Sequence, residues 1–404
     1  MSNLSDVVGG ANLFGGSSYS FTCDRFGSPN SAIYFNKGYL QVPSGVYFSG
    51  NFTFTAWIYL KSYQSWSKIF DFGNGRMNNN VYLGMSGTSS KISAVIYNGA
   101  SYSILDTSSI ITNLNKWYFI SFILNNRTGY VFVNGNQVGT GTLNVPNNII
   151  RTSNFIGYSN WGDPFADAIV DELKIYQGAI SSNEIMNEYQ LNYNKGIINY
   201  CPSNYWPMSN LTDVVNGANL FGGSSYSFTC DRFGSENSAI YFNKGFLEVP
   251  SGVYFSGDFT FTAWIYLKSY QSLSRIFHFS NGQASDEIYL SMIRTTSIIE
   301  ACIYKGSLPK FIDTSSIINL NKWYFISFVL SGTTGYIYVN GSQVGTGTLN
   351  VPNNIIRTAN YIGKSNNPSD SNADAVYDEF KIYQRALSSV EIMNEYKINS
   401  NNGK

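Results

Sequence analysis

The chain contains one long stretch twice. Phe52–Leu60 reads FTFTAWIYL, and Phe259–Leu267 reads FTFTAWIYL again. The identity spreads outward: MSNLSDVVGGANLFGGSSYSFTCDRFG from Met1 returns as MSNLTDVVNGANLFGGSSYSFTCDRFG from Met208. A duplication of this extent divides the 404 residues into two like domains of roughly 200 residues, each large enough for its own core. The bounds read 1–190 for the first domain, 191–202 for a polar linker and 203–404 for the second. Met1 matches Met208, which lies inside the second copy. The sequence is therefore expected to be a piece of a longer array of this repeat, with its first edge truncated and any export signal outside it.

Within the repeated stretch, Phe52, Phe54, Ala56, Ile58 and Leu60 alternate with Thr53, Thr55, Trp57 and Tyr59. A period of two in Thr, aromatic and branched residues is the mark of a strand with one apolar face. Ser31–Phe35 and Tyr39–Val42 read as two short strands around an Asn36-Lys37-Gly38 turn. Ile69–Phe72, Val81–Met85, Ile92–Tyr97, Trp117–Leu124, Tyr130–Val133, Asn154–Gly157 and Ala168–Tyr176 follow as further strands. Asn134-Gly135 marks a hairpin. Ser181 and Glu184 form a capping box for one short helix, which Ser388 and Glu391 repeat. Many short strands with almost no helix mean a two-sheet antiparallel sandwich or barrel. The strand count favours a jelly roll over the immunoglobulin plan of seven to nine strands.

Lys and Arg (25) balance Asp and Glu (25), and charged residues make up 12% against 16% aromatic. A neutral chain without a basic run excludes nucleic acid and anionic membranes as expected partners. No apolar run approaches a membrane-spanning length.

The series AIYFNKGYLQVP, FTFTAWIYL, KWYFISFIL and GYVFVNGNQVG, closed by ADAIVDELKIYQGAISSNEI, resembles laminin-G-like domains of the concanavalin A-like lectin/glucanase superfamily. The resemblance implies an all-β fold of two tandem antiparallel jelly-roll sandwiches, each with one short C-terminal helix. It also implies an extracellular or cell-surface setting and a use in adhesion or glycan binding.

Glucanases share that fold, so the carboxylates need testing. A retaining glycosidase places two of them close together on one strand face, and the Glu-x-Asp-x-x-Glu segment that supplies them in this superfamily is missing. Glu184 and Glu188 fall on the helix. The single histidine, His278, stands where the first copy has Asp71, so no histidine-based site is common to both copies. The four cysteines lack C-x-x-C spacing. The expectation is a non-enzyme.

On the last strand Ile169, Asp171, Leu173 and Ile175 alternate onto one face, as do Val376, Asp378, Phe380 and Ile382. An ionised carboxylate among apolar residues needs a partner. One candidate is an ion pair with Arg25 or Arg232. The other, which the resemblance supports, is a structural calcium held by Asp24 and Asp171 and again by Asp231 and Asp378.

Trp57, Trp117, Trp264 and Trp323 belong to strands in both copies and read as packing residues. Trp66, Tyr102 and Tyr158 differ in the second copy (Leu273, Pro309 and Lys364), and with Trp161 they are the candidate ligand-binding aromatics. Cys201 and Cys230 flank the start of the second copy and are expected to pair, leaving Cys23 free and Cys302 as a buried thiol. Sequons stand at Asn3, Asn51, Asn126, Asn210 and Asn340. Together these readings give a secreted, non-catalytic tandem module for glycan or matrix ligands, linked to further copies of the same repeat. The alternatives are a spacer without a specific ligand and, last, a glycoside hydrolase.

Overall fold

In the computed structural model, which describes residues 1–87, 89–107, 111, 113–193, 200–282, 285–293, 296–314 and 318–401, the repeated FTFTAWIYL stretch is an interior strand of each half, paired on both sides. The chain divides into Met1–Tyr200 and Cys201–Lys404. The expected linker, 191–202, lies partly outside the described residues, and its first residues belong to a helix that runs to Tyr193.

The first unit has strands β1 (Phe14–Thr22), β2 (Ala32–Val42), β3 (Phe52–Leu60), β4 (Lys68–Gly73), β5 (Val81–Met85) and β6 (Ile92–Asn98). It continues with β7 (Ser101–Asp106), β8 (Trp117–Asn125), β9 (Thr128–Val133), β10 (Asn136–Thr142), β11 (Ser153–Ile156), β12 (Ala166–Tyr176) and helix α1 (Ser182–Tyr193). The strands pair antiparallel in the order β10-β9-β8-β3-β12-β2-β11-β4-β5-β6-β7, with β1 on β2. β2 pairs with β12 over Ile33–Gly38 and with β11 over Leu40–Val42, so this single strand serves both layers of the sandwich. The two ends of the path also meet, where the Asn144 N–H donates to Ser103 Oγ of β7 at 2.6 Å. The result is a nearly closed jelly roll.

Phe52, Phe54, Ala56 and Ile58 face the core between the layers, with Phe70, Leu83, Phe122 and Val131. Thr53, Thr55 and Trp57, on the other side of β3, are buried as well. Helix α1 covers that side: Ile185 packs beside Trp57, and the Tyr189 ring stacks 5.9 Å from Trp57. Its start is the expected capping box, in which Ser181 N–H donates to Glu184 Oε2 at 2.7 Å and Glu184 N–H to Ser181 Oγ at 3.2 Å.

Two local readings are corrected. The expected Asn36-Lys37-Gly38 turn is a kink inside the continuous β2. Lys37 has φ 51°, and a Cβ on Gly38 would lie 2.2 Å from the Ser18 carbonyl oxygen, so β1 can approach only glycine here. On β12 the alternation breaks at Glu172, which has φ 46°, where a bulge separates Asp171 from Lys174 in the pairing with β3. Ile169 packs on the helix side with Trp57, whereas Leu173 and Ile175 pack against the inner core. Asp171 therefore does not share a face with Leu173 and Ile175, because the extra bulge residue reverses the facing.

The second unit begins with a strand that the first unit does not show among the described residues, β13 (Asn204–Trp206). It then repeats the plan with β14 (Phe221–Thr229), β15 (Ala239–Val249), β16 (Phe259–Leu267), β17 (Arg275–Ser280), β18 (Ile288–Met292) and β19 (Ile299–Lys305). β20 (Leu308–Asp313), β21 (Trp323–Ser331), β22 (Thr334–Val339), β23 (Ser342–Thr348), β24 (Ala359–Ile362), β25 (Ala373–Tyr383) and α2 (Ser389–Asn401) complete it. β13 lies along β25, pairing Asn204 with Ile382 and Trp206 with Phe380.

Candidate ligand-binding face

The outer face of β4–β7 carries side chains of a kind the core does not need. Register places Asp71, Tyr82 and Val95 side by side across β4, β5 and β6, and sets Tyr97 opposite Tyr102 across β6 and β7. The loop between β11 and β12 folds over this face and brings Trp161 onto it. The Trp161 ring meets Tyr82 edge-on at 5.3 Å and Tyr97 at 5.7 Å, and Tyr97 stacks on Tyr102 at 5.2 Å. Lys68 continues the row, with its ammonium 4.8 Å from the Tyr82 ring centre and 6.0 Å from that of Trp66. Trp66 and Tyr102, at the two ends, are 49% and 58% exposed, so the row offers open aromatic surface at its ends.

Buried polar contacts hold the loop in place. Lys68, itself buried, pairs with Asp163 at 2.9 Å. The Asp71 carboxylate accepts the Asn160 N–H at 2.8 Å and the Asn80 amide at 3.0 Å. Burial pushes the Asp71 carboxyl up to about 6, against those hydrogen bonds.

The structure thus joins three of the four expected aromatics, Trp66, Tyr102 and Trp161, into one row. Tyr158 lies apart, in a cluster with Tyr39 (5.2 Å), Phe155 (5.2 Å) and Phe165 (4.6 Å). Sequence reading missed Tyr82, Tyr97 and Lys68, because their strands show only that they alternate. The cue was available in the copy comparison, since Lys68 and Asp71 change together to Arg275 and His278.

In the second unit Leu273, Asn367 and Pro309 replace the three joined aromatics, and the same face is more highly charged. Arg275 lies 4.0 Å from the Tyr289 ring centre and 3.3 Å from Asp370, and Tyr289 O–H donates to Glu300 at 3.2 Å. His278 accepts the Asn366 N–H at Nδ1 (3.1 Å) and faces Glu287 at 3.5 Å, with burial lowering its basicity. Cys302 is buried beside Tyr289, which keeps its thiol protonated. At the Tyr158 position, Lys364 lies over the Phe246 and Tyr361 rings at 4.2 and 4.7 Å.

The four aspartates expected to hold calcium all have protein partners. Asp171 bonds the buried Arg25 guanidinium, and its other oxygen takes the Met1 ammonium and the Glu172 N–H, each at 2.8 Å. Asp378 bonds Arg232 in the same way. Asp24 and Asp231 each turn an oxygen onto the N–H groups of their own loop, Phe26 and Ser28 in one case and Phe233 and Ser235 in the other. These donor sets leave Asp171 and Asp378 with a guanidinium as their cation, the ion-pair alternative. Among the described residues no group of three or more His, Cys, Asp or Glu could hold a metal ion.

The Cys201–Cys230 pairing is corrected too, since Cys230 is an exposed free thiol. β13 is antiparallel to β25, so Cys201 lies beyond Ile382, whereas β14 ends opposite Ala239, next to the Ile240 that faces Tyr377. Five residues of extended strand span about 16 Å, well past the reach of a disulfide. Of the sequons, Asn3, Asn126 and Asn210 are exposed. Asn51 and Asn340 are half-buried, their amide oxygens accepting the Asn126 and Phe325 N–H groups.

Residues 35–186 and 243–393 match the Laminin_G_3 model, described as the Concanavalin A-like lectin/glucanases superfamily. The fold is also similar to domain 4 of AbnA, a GH43 extracellular arabinanase from Geobacillus stearothermophilus in complex with arabinotriose (15% identity, 48% of this chain, 98% of that one, TM-score 0.41). It is similar to domains LG4-5 of the mouse laminin alpha1 chain (11% identity, 91% of this chain, 95% of that one, TM-score 0.31). A third similar structure is the botulinum neurotoxin serotype G binding domain (12% identity, 95% of this chain, 96% of that one, TM-score 0.40). Curated protein sequences give no match.

Proposed function

The chain belongs to the concanavalin A-like lectin/glucanase superfamily, and we propose that it is an extracellular, non-catalytic binding module whose first copy takes a glycan on the β4–β7 face. The observation that carries this reading is the aromatic row ending in the exposed Trp66 and Tyr102. Sugar rings present apolar C–H faces that stack on open aromatic surface, while their hydroxyls need polar neighbours. Lys68 and Asp163 lie at the same face, although they are largely occupied with each other.

The non-catalytic part rests on what the carboxylates already do. Glu184 caps its helix, and Glu188 pairs with Lys174 at 2.8 Å. Asp71 accepts two structural hydrogen bonds under the loop. Tandem copies would raise avidity for a repetitive ligand, although the altered second face is expected to differ in preference. A glycan array probed with the full chain tests the reading: selective binding to a sugar class supports it. Absence of binding would leave the spacer alternative, and turnover of an oligosaccharide would overturn the non-catalytic assignment.

A further inference from the structure

On the face of the second unit that corresponds to β4–β7, a change between the copies sets two carboxylates against each other. Register places Lys68, Gly84, Ser93 and Asp106 in one row across β4–β7. The same row across β17–β20 holds Arg275, Ser291, Glu300 and Asp313. In the first unit the Ser93 hydroxyl donates to the Asp106 carboxylate, which satisfies that end of the row. In the second unit Glu300 and Asp313 stand directly opposite each other on neighbouring strands. Side chains so placed leave their strands about 5 Å apart, and like charges there repel.

The surrounding groups do not neutralise the pair. Glu300 is half-buried and accepts only the Tyr289 O–H, at 3.2 Å. Asp313 is exposed and has no hydrogen bond or ion pair among the described residues. Arg275 is directed to Asp370 and to the Tyr289 ring. Burial, with the Asp313 charge, holds the Glu300 carboxyl above its usual range, against the Tyr289 hydrogen bond and the Arg275 charge. Beside Glu300 in the row, Ser291 is fully buried and its hydroxyl has no hydrogen-bond partner, where the first unit has only Gly84. A buried hydroxyl left in this way is costly unless something else binds it. Phe311, two residues before Asp313 and on the same face of β20, is 47% exposed.

We propose that Ser291, Glu300 and Asp313 bind the protonated amine of an amino sugar, with Phe311 against the sugar ring. An ammonium group donates three hydrogen bonds, and these side chains offer two carboxylates and a hydroxyl to accept them. Its charge also relieves the repulsion between Glu300 and Asp313. The open aromatic ring beside the carboxylates favours a cation carried on a ring with apolar C–H faces over a flexible lysine chain. The choice of a sugar rests on the glycan reading of the matching face in the first copy, whereas the preference for an amine belongs to the second copy alone.

The test uses the full chain with a glucosamine tetramer and its N-acetylated counterpart, at a pH that keeps the amines protonated. Calorimetry gives affinity and hydrogen exchange gives location. The free-amine tetramer should bind at least about tenfold more tightly, as expected for charge-assisted hydrogen bonds, and should protect Ile299–Lys305 and Leu308–Asp313. Glu300→Ser, which installs the residue of the first copy, should abolish both the preference and the protection. Because it removes one of two like charges, this variant should melt no lower than the parent chain. No saturable binding up to about 1 mM, equal affinity for the two tetramers, or an unchanged affinity in Glu300→Ser would overturn the proposal. Equally tight binding of tetralysine would overturn the sugar as ligand. Protection confined to β6 and β7 would overturn the site while leaving the glycan face of the first copy in place, and neutral glycans on the array test that face separately.

Discussion

Asp71 in the first copy and His278 in the second accept the same hydrogen bond, from the backbone N–H of Asn160 at 2.8 Å and of Asn366 at 3.1 Å. One exchange of residue type thus leaves the loop anchored but reverses the sign of the buried titration.

Burial raises the Asp71 carboxyl from 3.8 to about 6. Its stabilising contribution is present below the unfolded value and is lost as pH rises through about 6, a swing on the order of 3 kcal/mol. Burial lowers His278 from 6.5, so its contribution is present above that value and is lost as pH falls. Protection factors from hydrogen exchange at the two loops, corrected for the intrinsic pH dependence of amide exchange, should therefore show opposite trends between pH 4 and pH 7, and Asp71→Asn should flatten the first. Parallel trends in both loops would contradict the assignment.

The Arg232–Asp378 pair ties the first loop of the second unit to its last strand, and Arg232 also lies 4.8 Å over the Trp264 ring. Arg232→Met leaves a buried carboxylate and should cost about 3–5 kcal/mol in denaturant unfolding. Adding Asp378→Leu should return much of that loss. Since the guanidinium supplies the positive charge, a calcium chelator should leave the melting temperature unchanged. A drop on chelation would restore the calcium reading.

Cys230 is exposed and Cys302 buried. A maleimide should therefore label Cys230 in the folded, unreduced chain and reach Cys302 only after unfolding. Recovery of a Cys201–Cys230 cross-linked peptide would contradict the strand placement.

Strand identity and the two-domain plan were legible because alternation and capping are local signals. Trp57 was correctly readable as packing, since a tryptophan inside a regular strand needs burial. The facing of Asp171 was not legible: the bulge at Glu172 depends on a left-handed backbone that non-glycine sequence does not advertise. Strand β1 carries no strand signal in the sequence, because it pairs only at an edge and remains largely exposed, so no apolar stripe marks it. At the candidate site, copy-to-copy differences singled out Trp66, Tyr102 and Trp161, which share one row, and equally Tyr158, which lies apart. The convergence of the first three depends on a loop closing over β5 and β6, a long-range contact that spacing alone does not encode.

The most direct measurement is a titration of the full chain with the strongest ligand from the glycan array, repeated on Trp66→Ala and Tyr102→Ala. Both side chains are exposed, so both variants should keep the native melting temperature. Each loss of stacking should weaken binding by about 1–2 kcal/mol, roughly five- to thirtyfold. Unchanged affinity in both folded variants would contradict the assignment of the first copy's β4–β7 face as the glycan site.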